Sequence, residues 1–241
     1  MASTAPEEKI EWQDRPTCMI STAPQGGPRW HQLRLYSISM SNLSQVCGRG
    51  GRYQVPAPQL ARRICGLEKE VFSEEAMSRM SAGNRDEPML RAWHSALIKK
   101  PIYEVGVGVW KQDPRFRGSM DGDLDDGTFA EYKTTQQMYR AYIEFIESLK
   151  YHTAAPPSPY RHIFDSHYDQ MTGNAIIHGK TACRYIVYAR ADAVVYMQDI
   201  PVDRDHWDKL LYPTAVKFYT QEVEPLLAQH QLQRIDPPIV A

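Results

Sequence analysis

The stretch Arg115–Lys133, RFRGSMDGDLDDGTFAEYK, constrains this chain more than any other. Asp125-Asp126-Gly127 is a strong hairpin signal, and it is followed at once by the β-prone pair Thr128-Phe129. A hairpin closing there folds Asp121 back beside Glu131, which stands ten positions later. Residues two apart on a strand share a face, so Glu131 and Lys133 project together. Two carboxylates and an amine then converge on one small volume. Carboxylates suit a hard cation such as Mg²⁺ or Mn²⁺, which keeps several waters and takes further ligands from phosphate oxygens. The amine can orient or deprotonate a water, or stabilise charge developing on phosphorus. The first reading is a metal-dependent phosphodiesterase. Asp- and Gly-rich runs are also common as solvated turns, and Glu-x-Lys as a plain surface pair, so the motif takes its weight from its companions.

Composition sets wide bounds. The 241 residues are 42% hydrophobic and 24% charged, ordinary for one core-forming domain. The expected division is a flexible arm over 1–28, ending in Gln25-Gly26-Gly27-Pro28, and a single domain over 29–241. No run of eighteen apolar residues occurs, so no membrane span is expected. The first residues lack the basic and apolar regions of a secretory signal. Cys18, Cys47, Cys65 and Cys183 are scattered without a CxxC pair. That argues against zinc and a disulfide framework and suits an intracellular, reducing compartment, cytoplasm or nucleus. With a net charge of −1, any grip on nucleic acid must come from a local patch.

In chain order, Ser39 or Ser41 would cap a short helix stopping at Gly48, with Arg34 nearby as a phosphate-binding cation. Arg49 to Arg63 reads as a long loop whose four arginines and Tyr53 either track a nucleic-acid backbone or are merely solvated. Glu74 to Lys100 is helical, broken at Gly83-Asn84 and at Pro88, which puts Glu87 at the start of a second helix. There its carboxylate would complement the helix dipole or face a metal centre. Met89-Leu90, Trp93 and Leu97 form the apolar stripe of that helix. Strands are expected at Ile102–Trp110, Phe116–Asp121, Thr128–Lys133, Cys183–Ala189 and Ala193–Gln198. Helices are expected at about Met138–Leu149, His162–His178 and Asp203–Gln231, with a proline-rich spacer over 154–159. No HxxxH pair, phosphate-binding glycine loop or GxSxG turn is present, which disfavours zinc, nucleotide-loop and serine-nucleophile chemistry.

Taken together, several segments resemble the lambda-exonuclease-like (YqaJ-type viral recombinase) family of the PD-(D/E)xK nuclease superfamily. They are Trp30-His31-x-Leu33-Arg34-Leu35 with Ser39 and Ser41, then Gly83-x-x-x-Glu87, Gly118-Ser119-Met120-Asp121-Gly122, Glu131-Tyr132-Lys133 and Tyr168-x-Gln170. The resemblance implies an α/β (α+β) fold with a central mixed sheet of about five strands flanked by helices. It implies that Asp121, Glu131 and the main-chain carbonyl of Tyr132 bind Mg²⁺, with Mn²⁺ able to substitute, and that Glu87 faces a second ion. Lys133 would hold the attacking water, and Gln170 would orient that lysine or the scissile phosphate. Arg34, Ser41 and Ser39, with Trp30 beside them, would grip a terminal 5′-phosphate. Family members are ring-shaped homotrimers that digest one strand of linear duplex DNA 5′→3′, leaving a 3′ overhang for a single-strand annealing protein. Departures from the family pattern are Met120 in place of a proline, Thr134-Thr135 after the lysine, and Thr172 where a second glutamine is usual. Two alternatives share these residues: a structure-specific DNA or RNA endonuclease, and a non-catalytic DNA-end-binding recombination module.

Overall fold

The Arg115–Lys133 stretch is the seam between two β-sheets. The structure, a computed structural model, describes residues 10–149, 160 and 162–238. Its first strands are β1 (Trp12–Asp14) and β2 (Cys18–Ser21), followed by helix α1 (Pro28–Arg34) and the short β3 (Ile38–Ser39). After a 3₁₀ turn at Met40–Asn42 come α2 (Leu43–Val46), α3 (Ala57–Ile64) and the long α4 (Glu74–Ile98). Strands β4 (Gly108–Trp110), β5 (Phe116–Gly118), β6 (Gly122–Asp123) and β7 (Thr128–Thr134) precede helices α5 (Gln136–Leu149) and α6 (Asp165–His178). Strands β8 (Ala182–Ala189) and β9 (Val194–Pro201) follow. The described chain then runs through α7 (Arg204–His206), α8 (Tyr212–Phe218) and α9 (Glu224–His230), joined end to end by π-helical stretches.

Among the described residues the strands form a five-stranded sheet, β1-β2-β4-β5-β3, and a four-stranded sheet, β6-β7-β8-β9. Each is mixed, because β3 runs parallel to β5 and β7 parallel to β8. The fold is thus mixed sheets flanked by helices, but two sheets replace the single one of about five strands expected from the resemblance. The chain crosses from one to the other through Ser119-Met120-Asp121, held by Val105, whose N–H donates to the Met120 carbonyl at 3.4 Å.

The hairpin at Asp125-Asp126-Gly127 is present, pairing Gly122 with Ala130 and Asp123 with Phe129. Gly127 takes φ +82°, and Asp126 Oδ1 accepts from the Thr128 N–H at 3.0 Å. The middle of strand β7 is buried on both faces, successive side chains going to opposite sides. Phe129 packs into the main core with Tyr185, Val187, Met171 and Ala175, while Ala130 and Tyr132 face Leu90 of α4 on the other side.

Four expectations need correction. Residues 12–21, read as part of a flexible arm, are strands of the five-stranded sheet, with all of β2 buried against β4; short strands in a Pro-rich context lack the length that periodicity needs. Positions 1–9 and the proline run at 154–159 lie outside the described residues. Half of the Arg49–Arg63 loop is helix α3, which buries Leu60, Ala61 and Ile64 behind prolines at its first turn. Helix α4 continues through Gly83-Asn84 and Pro88, so Glu87 lies mid-helix and its start-of-helix dipole role falls away. Its buried face is Asp86, Leu90 and His94, while Met89, Trp93 and Leu97 are 50%, 40% and 52% exposed. The contacts made by that buried face with β7 outweigh the cost of the proline. The strand expected at Ile102–Trp110 shortens to β4. No helix among the described residues is long and apolar enough to cross a membrane.

Gly127→Val should cost about 1–2 kcal/mol of unfolding free energy, because a branched residue resists the left-handed region. Denaturant titration checks this, and an unchanged midpoint would show that the turn tolerates a side chain.

Candidate active site

The hairpin register, extended by one pair, sets Asp121 across from Glu131. The Tyr132 N–H donates to Asp121 Oδ2 at 2.9 Å, fixing the carboxylate against β7. Glu131 is fully buried, and its Oε1 accepts from Lys133 Nζ and from Gln170 Nε2, both at 2.6 Å. Lys133 also donates to Gln170 Oε1 at 3.3 Å. Glu131, Lys133 and Gln170 therefore close a three-membered ring between β7 and α6. The second carboxylate oxygen of Glu131, Oε2, is buried and has no hydrogen-bond partner. An orphaned buried carboxylate oxygen is costly unless a cation completes it.

Electrostatics point the same way. Burial pushes the Asp121 carboxyl from its usual 3.8 to about 7, and the Glu131 charge adds to the rise while Lys133 opposes it. Burial, then the Asp121 charge, lifts Glu87 from 4.5 to about 7, against the pull of Arg91. Burial works against the Lys133 ammonium, yet Glu131, Asp121 and Glu87 together outweigh it and raise its pKa. The acidic side chains here are thus short of positive charge, the condition a divalent cation relieves. His167, hydrogen-bonded through Nδ1 to the Tyr185 hydroxyl at 2.6 Å, is driven down to about 3 by burial and by Lys133. It stays neutral and adds no competing charge.

Glu87 does not join the ring directly. Its carboxylate accepts from Arg91 one turn along α4, and Arg91 also reaches the Asp121 carbonyl at 2.8 Å and Glu104 at 3.1 Å. Among the described residues no three His, Cys, Asp or Glu side chains gather into a metal-binding cluster. The residues that could take a hard ion are Asp121 and Glu131, whose buried Oε2 is unpartnered, such an ion keeping most of its waters. Arg91 and Glu104 escaped the sequence reading, although Glu87-x-x-x-Arg91 has the spacing of a helical ion pair.

A second cluster lies at the end of α1. Arg34 stacks over the Trp30 ring at 4.0 Å and donates to Ser41 Oγ at 2.5 Å, and Ser41 meets Ser39 Oγ at 3.0 Å. Burial lowers the Arg34 guanidinium to about 10, and among the described residues no carboxylate pairs with it. Ser39 sits at a helix-start position without capping it, so its hydroxyl is free to serve this cluster. Trp30 Nε1 donates to Ser119 Oγ at 3.0 Å. Ser119, within the motif Gly118-Ser119-Met120-Asp121-Gly122, ties the cluster to Asp121, two residues on. Two residues span at most about 7 Å, so the cationic pocket and the acidic ring are neighbours.

Beyond the end of β7 opens a cleft of about 1030 Å³. Thr134, next to Lys133, borders it, as do Arg49, Arg52, Tyr53, Arg79 and Arg190. Arg49 is neutralised by Asp165 and Asp169 at 2.8 and 2.9 Å. Arg52 instead lies over Tyr53, 53% exposed, and faces Gln137. The Arg-rich segment thus divides into a structural anchor and a solvent-facing cation on an aromatic.

No family model and no curated protein matches the sequence. Solved structures share the fold. An alkaline exonuclease, LHK-Exo, from Laribacter hongkongensis aligns with a TM-score of 0.63 at 20% identity, over 85% of this chain and 98% of that one. The same protein in complex with dAMP gives the same values. A phage-related exonuclease from Haemophilus somnus 129PT aligns with a TM-score of 0.54 at 9% identity, over 80% of this chain and 96% of that one. The fold is that of these exonucleases, as the resemblance implied.

A carboxyl held above its unfolded value is protonated in both states at low pH and costs nothing there. Between the two values the folded state keeps a proton that the unfolded state has already released, so stability falls as pH rises. In EDTA at pH 8, Asp121→Asn should therefore unfold at higher denaturant than the wild type, with the gain vanishing below about pH 4. A wild-type protein equally stable at both pH values, with no gain in the variant, would contradict the raised carboxyl.

Proposed function

We propose that this chain is a metal-dependent deoxyribonuclease that digests linear duplex DNA from a 5′-phosphorylated end. The observation that carries the reading is the adjacency of two unlike sites: an arginine among hydroxyls with no carboxylate partner among the described residues, and a buried carboxylate–lysine ring, joined through Ser119-Met120-Asp121. A pocket for a terminal phosphate beside a hydrolytic centre fixes which bond is cut.

In this reading Asp121, Glu131 and the main-chain carbonyl of Tyr132 hold Mg²⁺ or Mn²⁺, with Glu87 facing a second ion. The orphaned Glu131 Oε2 and the raised Asp121 carboxyl support that assignment. When bound, such ions supply Lewis acidity toward the phosphodiester oxygens. Lys133, kept as an ammonium by its three acidic neighbours, holds the attacking water and stabilises charge on the phosphate. Gln170 locks Lys133 and Glu131 at their mutual distance. Arg34, Ser41, Ser39 and Ser119 receive the 5′-phosphate, with Trp30 holding the arginine plane. Water adds to phosphorus as the bond to the 3′-oxygen breaks, releasing a 5′-mononucleotide. The shortened strand then carries a fresh 5′-phosphate, which the same pocket accepts. Arg52 and Tyr53 in the adjoining cleft offer a charge and a stacking face for the DNA. A ring of three copies, and an annealing protein to take the 3′ overhang, extend this proposal from the family resemblance.

Asp121→Asn and Lys133→Ala should each lower Mg²⁺-dependent cleavage by at least about 100-fold, as loss of a charge-stabilising group does. Gel electrophoresis of end-labelled duplex reads this, and retained cleavage in both variants would remove Asp121 and Lys133 from catalysis. Arg34→Ala should slow digestion of 5′-phosphorylated ends by about tenfold more than of 5′-hydroxyl ends. Equal slowing on both ends would take Arg34 out of phosphate recognition.

A further inference from the structure

The segment Arg234-Ile235-Asp236, beyond α9, makes three separate contacts that converge on the stretch bearing Arg34. The first runs through Arg117 of β5, whose side chain is fully buried. One of its terminal nitrogens donates to the Leu33 carbonyl in the last turn of α1, and the other to Asp236. The second is apolar: Ile235 packs against the cluster of Leu33, Val107 and Val109, which Trp30 also joins. The third runs through Tyr219, which accepts from Arg234 at 2.6 Å and donates to the Tyr36 carbonyl at 2.7 Å. Tyr36 is the residue at which the chain turns with φ +61° between α1 and β3. The segment therefore reaches, through Arg117, Tyr219 and a shared apolar cluster, the residue before Arg34, the cluster that Trp30 also packs on, and the turn leading to Ser39 and Ser41.

We propose that residues 234–236 are a positioning strap for the end pocket, setting where Arg34, Trp30 and the two serines stand. Asp236 is the key residue. Among the described residues it is the one carboxylate bonded to Arg117, and it also takes Arg234 at 3.3 Å. A buried guanidinium deprived of its carboxylate carries an uncompensated charge, which is far more costly than losing the pair altogether. Arg117 then withdraws from the Leu33 carbonyl or draws water into the cluster, and either change frees the C-terminus of α1. Asp236 itself is 40% exposed at its side chain and touches neither the acidic ring nor the phosphate pocket. Its effect on phosphate recognition runs through Arg117 and α1, and through Arg234, Tyr219 and the turn at Tyr36. The inference rests on the end-pocket reading above and goes beyond it by adding Arg117, Ile235 and Asp236 as positioning residues.

The test compares wild type with Asp236→Asn, Asp236→Glu and Ile235→Ala as full-length chains. Fluorescence anisotropy in EDTA measures binding to one blunt duplex carrying either a 5′-phosphate or a 5′-hydroxyl. Asp236→Asn and Ile235→Ala should reduce the preference for the phosphorylated end by about tenfold, with binding to the hydroxyl end unchanged. Asp236→Glu, which keeps the carboxylate, should restore most of it. Combining Asp236→Asn with Arg34→Ala should cause no further loss, since both act on the same contact. Amide hydrogen exchange over residues 33–37, which involves no DNA, should quicken in Asp236→Asn. A folded Asp236→Asn with wild-type preference and unchanged exchange would overturn the strap. Should Asp236→Asn fail to fold, Ile235→Ala decides by the same two readouts. If the wild type itself shows no phosphate preference, the end pocket falls, and exchange at 33–37 alone still supports or refutes the strap.

Discussion

Everything near the site depends on keeping the Glu131 carboxylate wholly out of water. A charge so placed needs partners at fixed distance, and the chain supplies them from two elements: Lys133 from the same strand and Gln170 from α6. The ring they form explains why β7 must face α6 in this register, and why the β6–β7 hairpin must close where it does. Slipping β7 by one residue would turn Glu131 toward Leu90 and place Tyr132 against Gln170. Three hydrogen bonds still leave Oε2 of Glu131 unsatisfied, and the Asp121 carboxyl rises beside it. The ring is complete as a scaffold but unbalanced as a charge distribution. An imbalance of this kind is what a cation-dependent hydrolytic centre requires of its protein.

Adjacency gives the arrangement its direction. Asp121 is fixed to β7 by the Tyr132 amide, and Ser119, two residues before it, is fixed to Trp30. One short crossing between two sheets thus carries the acid on one side and the hydroxyl of the cationic pocket on the other. Gly118 shows how tightly that crossing is packed, since a Cβ there would lie 2.2 Å from Asn174 Oδ1, and Asn174 in turn holds the Ser119 carbonyl. Rigid packing at this point fixes the spacing between a bound end and the bond to be cut.

Much of this was legible because local chemistry and tertiary packing agree. Asp125-Asp126-Gly127 is a turn on its own terms, and Glu131-x-Lys133 shares a face on any strand, so the convergence of Asp121, Glu131 and Lys133 could be drawn before the fold was known, while Gln170 entered only through the family resemblance. The three helical stretches and two strands expected after Lys133 were legible for the same reason. The reading failed where packing overrode local signals. Pro88 and Gly83 read as breaks, but Leu90 and His94 bury against β7 strongly enough to carry α4 through them. Strands β1 and β2 are too short for periodicity to reveal, and their partner β4 lies some 90 residues away in sequence, Cys18 pairing with Trp110. Arg91 carries only the i,i+4 spacing to Glu87, and only the folded chain shows that it also reaches the Asp121 carbonyl and that Ser119 meets Trp30.

The claim at the centre is that a phosphate-reading end pocket feeds a cation-dependent phosphodiester site. It is tested most directly with purified wild-type protein, Mg²⁺ and three DNAs of equal length: a linear duplex with a 5′-phosphate, the same duplex with a 5′-hydroxyl, and a closed circle. The account predicts stepwise loss of the phosphorylated strand, slower loss from the hydroxyl end, and an untouched circle. Nicking of the circle would mean that the same site cuts internally. No digestion of any of the three with Mg²⁺ or Mn²⁺ would contradict the account outright.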